Sequence, residues 1–174
     1  MGLSASKRVS RSLDSSPDFN SACDSVFEEC LNLAQHAFPG VKPYQLCSAT
    51  DRLHHSLLST SHPHPLVKKW IPNPPTRSQV DNAYELVVTR RSSNENEEEQ
   101  PSLGPIEFKA FATEVFTNAV VSNAGKAVLQ RVPIGIAGIA GIGVVTRSGR
   151  DLVGTVIGVY ALGVASSIYL SLAG

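Results

Sequence analysis

Apolar side chains recur every three or four residues in several stretches of the chain, a period that predicts amphipathic helices. The first helix is predicted to begin at Ser16-Pro17, where serine caps free N–H groups and proline fits the first turn, and to end before Pro39-Gly40. A second helix is predicted from Pro43, a third over residues 78–90 and a fourth from near Pro105. No strand pair with a hairpin turn is visible, so the sequence predicts an all-α fold.

The polar stretches divide the chain into three regions. Residues 1–15 are predicted to be a flexible basic arm, residues 16–125 a helical domain, and residues 126–174 a hydrophobic helical membrane region. Within the domain, a short apolar segment containing Trp70 lies between two proline-rich breaks. Residues 92–104 have no apolar period and carry several glutamates, so they are predicted to be an acidic loop.

The C-terminal region contains two apolar stretches of different length. Residues 152–174 carry no charge after Asp151 and would be about 34 Å long as a helix, against a hydrocarbon core of about 30 Å. Residues 132–145 would be about 21 Å long, which is too short to span alone. Gly154 and Gly158 are predicted to be helix-packing positions, because small residues allow two helix backbones to approach closely in lipid.

Two membrane topologies fit these stretches. Arg147 and Arg150 directly before the last helix favour a cytosolic flank and a single tail-anchor span. A two-leg hairpin would place those arginines on the far side and keep Lys126 and Arg131 cytosolic. A pair of buried helices in a soluble domain is the alternative to both, but a chain of 174 residues has little surface with which to cover them.

The N-terminus carries a lipidation motif. Gly2 after Met1, with a hydroxyl at Ser6, fits the acceptor pattern for N-myristoylation. Lys7, Arg8 and Arg11 precede the first acid and are predicted to contact an anionic membrane, each adding about 1 kcal/mol to binding. A short transit peptide, rich in serine and arginine, is the competing interpretation.

Composition and short motifs exclude several classes of function. Lysine plus arginine and aspartate plus glutamate both number 15, so no bulk charge suits nucleic acid. His54, His55, His62 and His64 with Cys47 match no zinc spacing, and Cys23 and Cys30 lie on the apolar face of the first predicted helix. No phosphate loop, nucleophile elbow or zinc-protease motif is present, so no enzyme and no cofactor is predicted.

The pattern Gly104-x-Ile106-x-Phe108-x-x-Phe111 is similar to the back of an EF-hand loop and the start of its exit helix. The helix order over residues 17–122 resembles a degenerate EF-hand pair. The resemblance implies that Gly104 makes a turn, that Ile106 pairs with the partner loop, and that the two phenylalanines enter the core.

The same resemblance counts against a calcium site. With Gly104 at loop position six, Glu99 takes position one, Pro101 position three and Ala110 position twelve, where a bidentate glutamate is needed. Only Glu99 and Glu107 remain as candidates for weak calcium binding.

The leading functional hypothesis is a non-enzymatic, membrane-anchored interaction or adaptor protein in signalling, with membrane lipids and an unidentified protein as partners. A calcium sensor with atypical ion binding is one alternative. An oligomeric membrane-shaping or channel-like protein, with a homo-oligomer formed by the C-terminal helices, is the other. The bulk of the chain is expected in the cytosol at the plasma membrane or an endomembrane, with an organelle envelope as the alternative. Ser10, Ser12 and Ser93 are candidate phosphorylation positions.

Overall fold

The computed structural model of the protein describes residues 2–60, 63–92, 102–145 and 150–172. This part of the chain contains helices and one isolated β-bridge but no strand, which confirms the all-α prediction for it. A single 3-10 turn, Pro43–Gln45, precedes the third α-helix. In chain order the α-helices are α1 Gly2–Asp14, α2 Pro17–Leu33, α3 Leu46–Ser59, α4 Pro65–Trp70, α5 Arg77–Ser92, α6 Pro105–Val145 and α7 Arg150–Leu170.

The N-terminal segment is a packed helix, so the prediction of a flexible arm over residues 1–15 is wrong for the described residues. Ala5, Val9 and Leu13 are four residues apart, share one face of α1 and are buried. The Thr113 hydroxyl of α6 donates to Asp14 Oδ1 at 2.7 Å and holds the C-terminal end of α1. This thin apolar face becomes part of the core because α6 supplies the surface that covers it.

Helices α1, α2 and α5 pack around the first half of α6, and α3 packs against α2. Ser16 caps α2 by accepting a hydrogen bond from the Phe19 N–H at 3.3 Å, as the sequence indicates. Phe19 meets Phe116 edge to face at 5.9 Å, and Phe27 meets Phe108 at 5.7 Å. These aromatic pairs tie α2 to α6 through a single hydrophobic core.

Two loops of the domain are joined by an antiparallel bridge. The N–H of Val41 donates to the carbonyl of Leu103, and the N–H of Leu103 donates to the carbonyl of Val41, both at 2.9 Å. Both side chains are fully buried. Gly40 is required beside the bridge, because a Cβ at this position would collide with the Leu103 carbonyl. The bridge therefore fixes the loop after α2 against the segment that enters α6.

Helix α6 is one continuous helix of 41 residues that crosses the predicted boundary between the helical domain and residues 126–174. Helix α7 runs back along it in the antiparallel direction. The hydroxyl of Tyr160 donates to the Arg131 carbonyl at 3.3 Å, and Ile168 and Leu172 are buried near Ala124. The first half of α6 thus lies inside the domain, and its second half forms a helical hairpin with α7.

Candidate membrane-binding site

Helix α7 is exposed along most of its length despite its apolar sequence. Its segment Leu152–Leu170 is long and apolar enough to cross a membrane, and only 6% of it is buried. The core helix of a soluble protein would show most of this surface covered. The hairpin therefore presents apolar surface that the described part of the chain does not cover.

Both legs of the hairpin contribute to this surface. Leu129 and Ile134 of α6 are each 75% exposed, and Leu162 of α7 is 70% exposed. Val159 and Leu170 of α7 are also exposed. Many large exposed apolar side chains on two neighbouring helices are typical of a membrane or protein interaction site.

The two legs touch through a glycine and a tyrosine. Gly135 of α6 lies against the ring of Tyr160, where a Cβ would overlap the ring. Gly154 and Gly158, predicted to pack against residues 132–145, are exposed, and no described side chain lies near the space that a Cβ would fill. Among the described residues, the face of α7 toward α6 carries Tyr160, Val164 and Ile168 instead.

Cationic and aromatic side chains lie where the hairpin leaves the domain. The amide of Asn123 donates to the Trp70 carbonyl at 2.7 Å and so fixes α4 beside the middle of α6. The ammonium of Lys69 lies 5.5 Å from the Trp70 ring centroid, and Lys126 lines the same cleft. Arg131 is exposed one turn further along α6. We call this group, Lys69, Trp70, Lys126 and Arg131, the basal collar.

The N-terminal end of α1 reaches the same level of the molecule. Ala5 lines a small apolar cavity with Val121, Ala124 and Ile168, and Gly2 lies about 4.5 Å further along the helix axis. The Arg8 guanidinium stacks 4.7 Å from the ring centroid of Tyr169 near the end of α7. The predicted lipidation residue thus lies at the level of α6 where the hairpin leaves the domain, although nothing in the structure tests its modification.

The three predicted basic contacts have different surroundings. Lys7 and Arg11 are exposed, as a membrane contact requires. Arg8 is half-buried between α1 and α7, and its Nη1 atom has no hydrogen-bond partner in the described residues. Arg8 therefore fastens α1 to the hairpin and is not a free membrane contact.

The loop before α6 differs from what the EF-hand resemblance implies. Ile106 is 84% exposed, and Leu103 makes the bridge that Ile106 was expected to make. Phe108 and Phe111 are fully buried, as predicted. A proline between Gly104 and Ile106 starts the helix early, and this turns Ile106 outward.

The candidate calcium ligands are either engaged or outside the described residues. Glu107 Oε2 accepts the Gly104 N–H at 2.6 Å, and its Oε1 lies 3.3 Å from Arg91 Nη1. The same Arg91 nitrogen donates to the Ser102 carbonyl at 3.4 Å. Glu99 and Ser93 lie in residues 93–101, which the structure does not describe. A guanidinium therefore already neutralises Glu107.

The histidines and cysteines do not assemble into a metal site within the described residues. A ring N–H of His54 donates to the Ile71 carbonyl at 2.8 Å, so this histidine joins α3 to the end of α4. Burial lowers the pKa of His64. Burial also raises the pKa of Cys23 to about 12 and raises that of Cys30, which keeps both as neutral thiols in the core.

Comparisons with protein-family models, with curated proteins and with solved structures found no match to this chain. Sequence reasoning missed the roles of Trp70, Tyr160 and Gly135. The regular glycines at residues 135, 138 and 141 were the available signal for close helix packing, but they do not indicate which residue of α7 they meet.

Proposed function

We propose that this is a non-enzymatic, membrane-anchored interaction protein in which the α6–α7 hairpin enters the bilayer and the helical domain stays at its surface. The observation that carries the proposal is the exposed apolar segment Leu152–Leu170, of which 6% is buried. The basal collar supports it, since cations and tryptophan are the side chains typical of the membrane–water boundary.

Contacts at the end of α7 favour a hairpin over a single tail-anchor span. Ile168 and Leu172 are buried, and Tyr169 stacks on Arg8 of α1. A span with its C-terminal end across the bilayer would separate these groups. In a hairpin both the start of the exposed part of α6 and the end of α7 stay on the domain side.

The dimensions suit this arrangement. The part of α6 beyond the domain, residues 129–145, is about 25 Å long, and the segment Leu152–Leu170 of α7 is about 28 Å long. A hydrocarbon core of about 30 Å accommodates both legs. Gly2 lies at the same base, so a myristoyl group there would enter the leaflet that the hairpin enters.

The interaction part of the proposal rests on the helical domain. The EF-hand-like interpretation is supported by two helix–loop–helix units, α2–α3 and α5–α6, joined by the Val41–Leu103 bridge. Matching hydrogen bonds follow the bridge in both units: Lys42 N–H donates to Gln45 Oε1 at 3.0 Å, and Gly104 N–H donates to Glu107 Oε2.

This bridge changes the alignment of the loop and weakens the calcium-sensor alternative. If Leu103 replaces Ile106 as the pairing residue, Ser102 takes position seven and Glu107 position twelve, which in the family supply a carbonyl and a bidentate carboxylate to calcium. Arg91 Nη1 contacts both groups. The guanidinium stands where the cation would bind, so we favour a metal-free scaffold.

The decisive experiment is vesicle flotation of the full chain with a matched pair of variants. Leu162→Arg places a charge on the exposed face of α7 and costs about 2.5–3.5 kcal/mol if the residue sits near the bilayer centre, so membrane binding should fall roughly a hundredfold. Leu86→Arg, on an exposed site of the domain, should float like the wild type. Equal flotation of both variants would exclude insertion of the hairpin.

Protease digestion of the vesicle-bound protein tests the topology. If the hairpin inserts into the bilayer from one side, residues 2–126 stay open to external protease. The bilayer then protects a fragment that contains both α6 and α7 sequences. A single span would instead yield a protected α7 fragment without residues 129–145.

A further inference from the structure

A basic cleft lies on the face of α1 that points away from the hairpin contact. It has a volume of about 660 Å³ and lies between α1, α5 and α6. Lys7 and Arg11 line it from α1, and Arg90 lines it from α5. The hydroxyls of Ser6, Ser10 and Thr117 line the same space.

Two of the three cations have no acidic partner within the described residues. Lys7 and Arg11 are four residues apart and therefore lie on one face of the helix, and both are exposed. Arg90 is paired with Glu114 at 3.2 Å, with its side chain 65% exposed. The cleft thus holds two cations without an ion-pair partner in the described residues and a third that a ligand could share, and with Asp14 and Glu114 counted its net charge is +1.

The two carboxylates of the cleft, Asp14 and Glu114, already have hydrogen-bond partners within the protein. Asp14 accepts from Thr113 at 2.7 Å and from Ser10 at 3.2 Å. Glu114 pairs with Arg90 through Oε2, and its Oε1 accepts from the Asn118 amide at 3.3 Å. These bonds occupy both carboxylates, and the three cations outnumber them, so the cleft stays positive.

Thr117 gives an independent sign of a missing ligand. Its side chain is 2% exposed, and its Oγ1 atom has no hydrogen-bond partner among the described residues. A buried hydroxyl without a partner is unfavourable, and most such groups in proteins are hydrogen-bonded. This hydroxyl can donate to an anion held in the cleft by Lys7 and Arg11.

We infer that the cleft binds a phosphate monoester, with Lys7, Arg11 and Arg90 supplying charge and Thr117 supplying a hydroxyl donor. Charge-assisted hydrogen bonds from lysine, arginine and hydroxyl groups are the contacts that phosphate oxygens prefer. The source of the phosphate is a lipid headgroup or a soluble phosphorylated compound. A lipid headgroup as the source depends on the proposed membrane insertion, because the Lys7 end of the cleft lies toward the basal collar.

The test uses the full chain in detergent and on vesicles. Inorganic phosphate and inositol bisphosphate are the soluble probes, measured by calorimetry. Phosphatidylcholine vesicles with and without phosphatidylinositol phosphate are the membrane probes. We expect the wild type to bind the phosphorylated probes, and Arg11→Gln to weaken binding at least about tenfold, the value of one charge-assisted hydrogen bond. The exposed Arg77→Gln, outside the cleft, is the matched control and should bind like the wild type.

Thr117→Val separates a binding role from a structural one. Valine has the same shape but no hydroxyl, so without ligand the melting temperature should stay the same or rise. Affinity for the phosphorylated probes should nevertheless fall. Unchanged affinity in Thr117→Val, or equal losses in Arg11→Gln and Arg77→Gln, would overturn the inference and leave only general attraction between charges.

The sources are distinguished by comparing the probes. Binding of soluble probes as tight as that of vesicles indicates a soluble ligand, whereas Thr117-dependent binding confined to vesicles that carry the phosphorylated lipid indicates a headgroup. Failure of the proposed hairpin insertion is separable, because Leu162→Arg should lose binding to all vesicles and keep its affinity for any soluble probe. Lack of binding to every phosphorylated probe by the wild type would also overturn the inference.

Discussion

The two halves of α6 have the same backbone but opposite surroundings. Over its first half, large side chains such as Phe108, Phe111 and Phe116 are buried by α1, α2 and α5. Over its second half, Leu129 and Ile134 point outward, and small residues such as Gly135 meet α7. In a soluble core the large side chains point toward the neighbouring helices. In a pair of helices that faces lipid, small residues lie between the helices and the large side chains point outward.

This difference separates two kinds of stability. The domain half is stabilised by removing apolar surface from water. The hairpin half keeps its apolar surface exposed and can remove it from water only by binding something else. Substitutions in the first half should therefore act on unfolding, and those in the second half on attachment.

The largest expected effect is in the domain half. Phe108→Ala removes a fully buried ring that packs on Phe27 and should lower the free energy of unfolding by about 3–5 kcal/mol. Ile134→Ala in the hairpin half, at a 75% exposed site, should change unfolding in detergent little. Chemical denaturation of both variants measures the contrast, and similar losses would refute it.

A pair of glycines sharpens the comparison. Gly40→Ala introduces a Cβ that collides with the Leu103 carbonyl and should cost about 1–3 kcal/mol of unfolding free energy. Gly138→Ala in the hairpin half meets no atom of the described side chains and should stabilise the helix by about 0.5–1 kcal/mol. Thermal unfolding in detergent should show a lower melting temperature for the first variant and a higher one for the second. An unchanged melting temperature in Gly40→Ala would show that the bridge is dispensable.

A pair of arginines gives a smaller effect. Arg91→Gln removes a partly buried cation from Glu107 and should cost about 1 kcal/mol of unfolding free energy. Arg131→Gln in the basal collar should leave unfolding unchanged and instead weaken binding to anionic vesicles by about 1 kcal/mol. If Arg91→Gln gained tight calcium binding, our preference for a metal-free scaffold would need to be revised.

Lowering the pH through the range in which histidines titrate should change the stability of the domain and not that of the hairpin, because all 5 histidines precede residue 65. Burial lowers the pKa of His64 below its ordinary value of 6.5, against the opposing effects of the Ser12 carbonyl and Asp18. The unfolded chain therefore binds the proton more readily, and the stability of the domain should fall as the pH drops from about 6.5 through the folded-state pKa. His64→Gln should flatten this dependence, whereas the exposed His55→Gln should not.

The sequence predicted the helices with strong apolar periods well. Ser16-Pro17 marks the start of α2, and Phe108 and Phe111 lie in the core as expected, because local periodicity and caps are enough to determine these features. The all-α class followed from the same signals. Exposure of the segment Leu152–Leu170 agrees with the predicted apolar C-terminal region.

The remaining features depend on partners distant in the chain. One apolar residue per turn in α1 makes a packed helix only because α6 covers that face. Leu103 and Ile106 are both apolar loop residues, and only the position of Val41 decides which one makes the bridge. The sequence does not predict that α6 continues past residue 125, because the large apolar side chains give way there to a glycine-rich stretch. Pro133 lies inside this helix, and proline is compatible with a helix when its neighbours hold the axis.

Pro133 also makes a mechanical joint between the two halves of α6. It has no N–H to donate to the carbonyl of Leu129, four residues earlier, so the helix lacks one bond just beyond the domain. The nearby bond from Tyr160 to the Arg131 carbonyl ties this weak point to α7. The backbone of α6 is therefore least stiff where the hairpin leaves the domain, and the contacts of Tyr160 with α6 and of Tyr169 with Arg8 of α1 hold its two halves in line there.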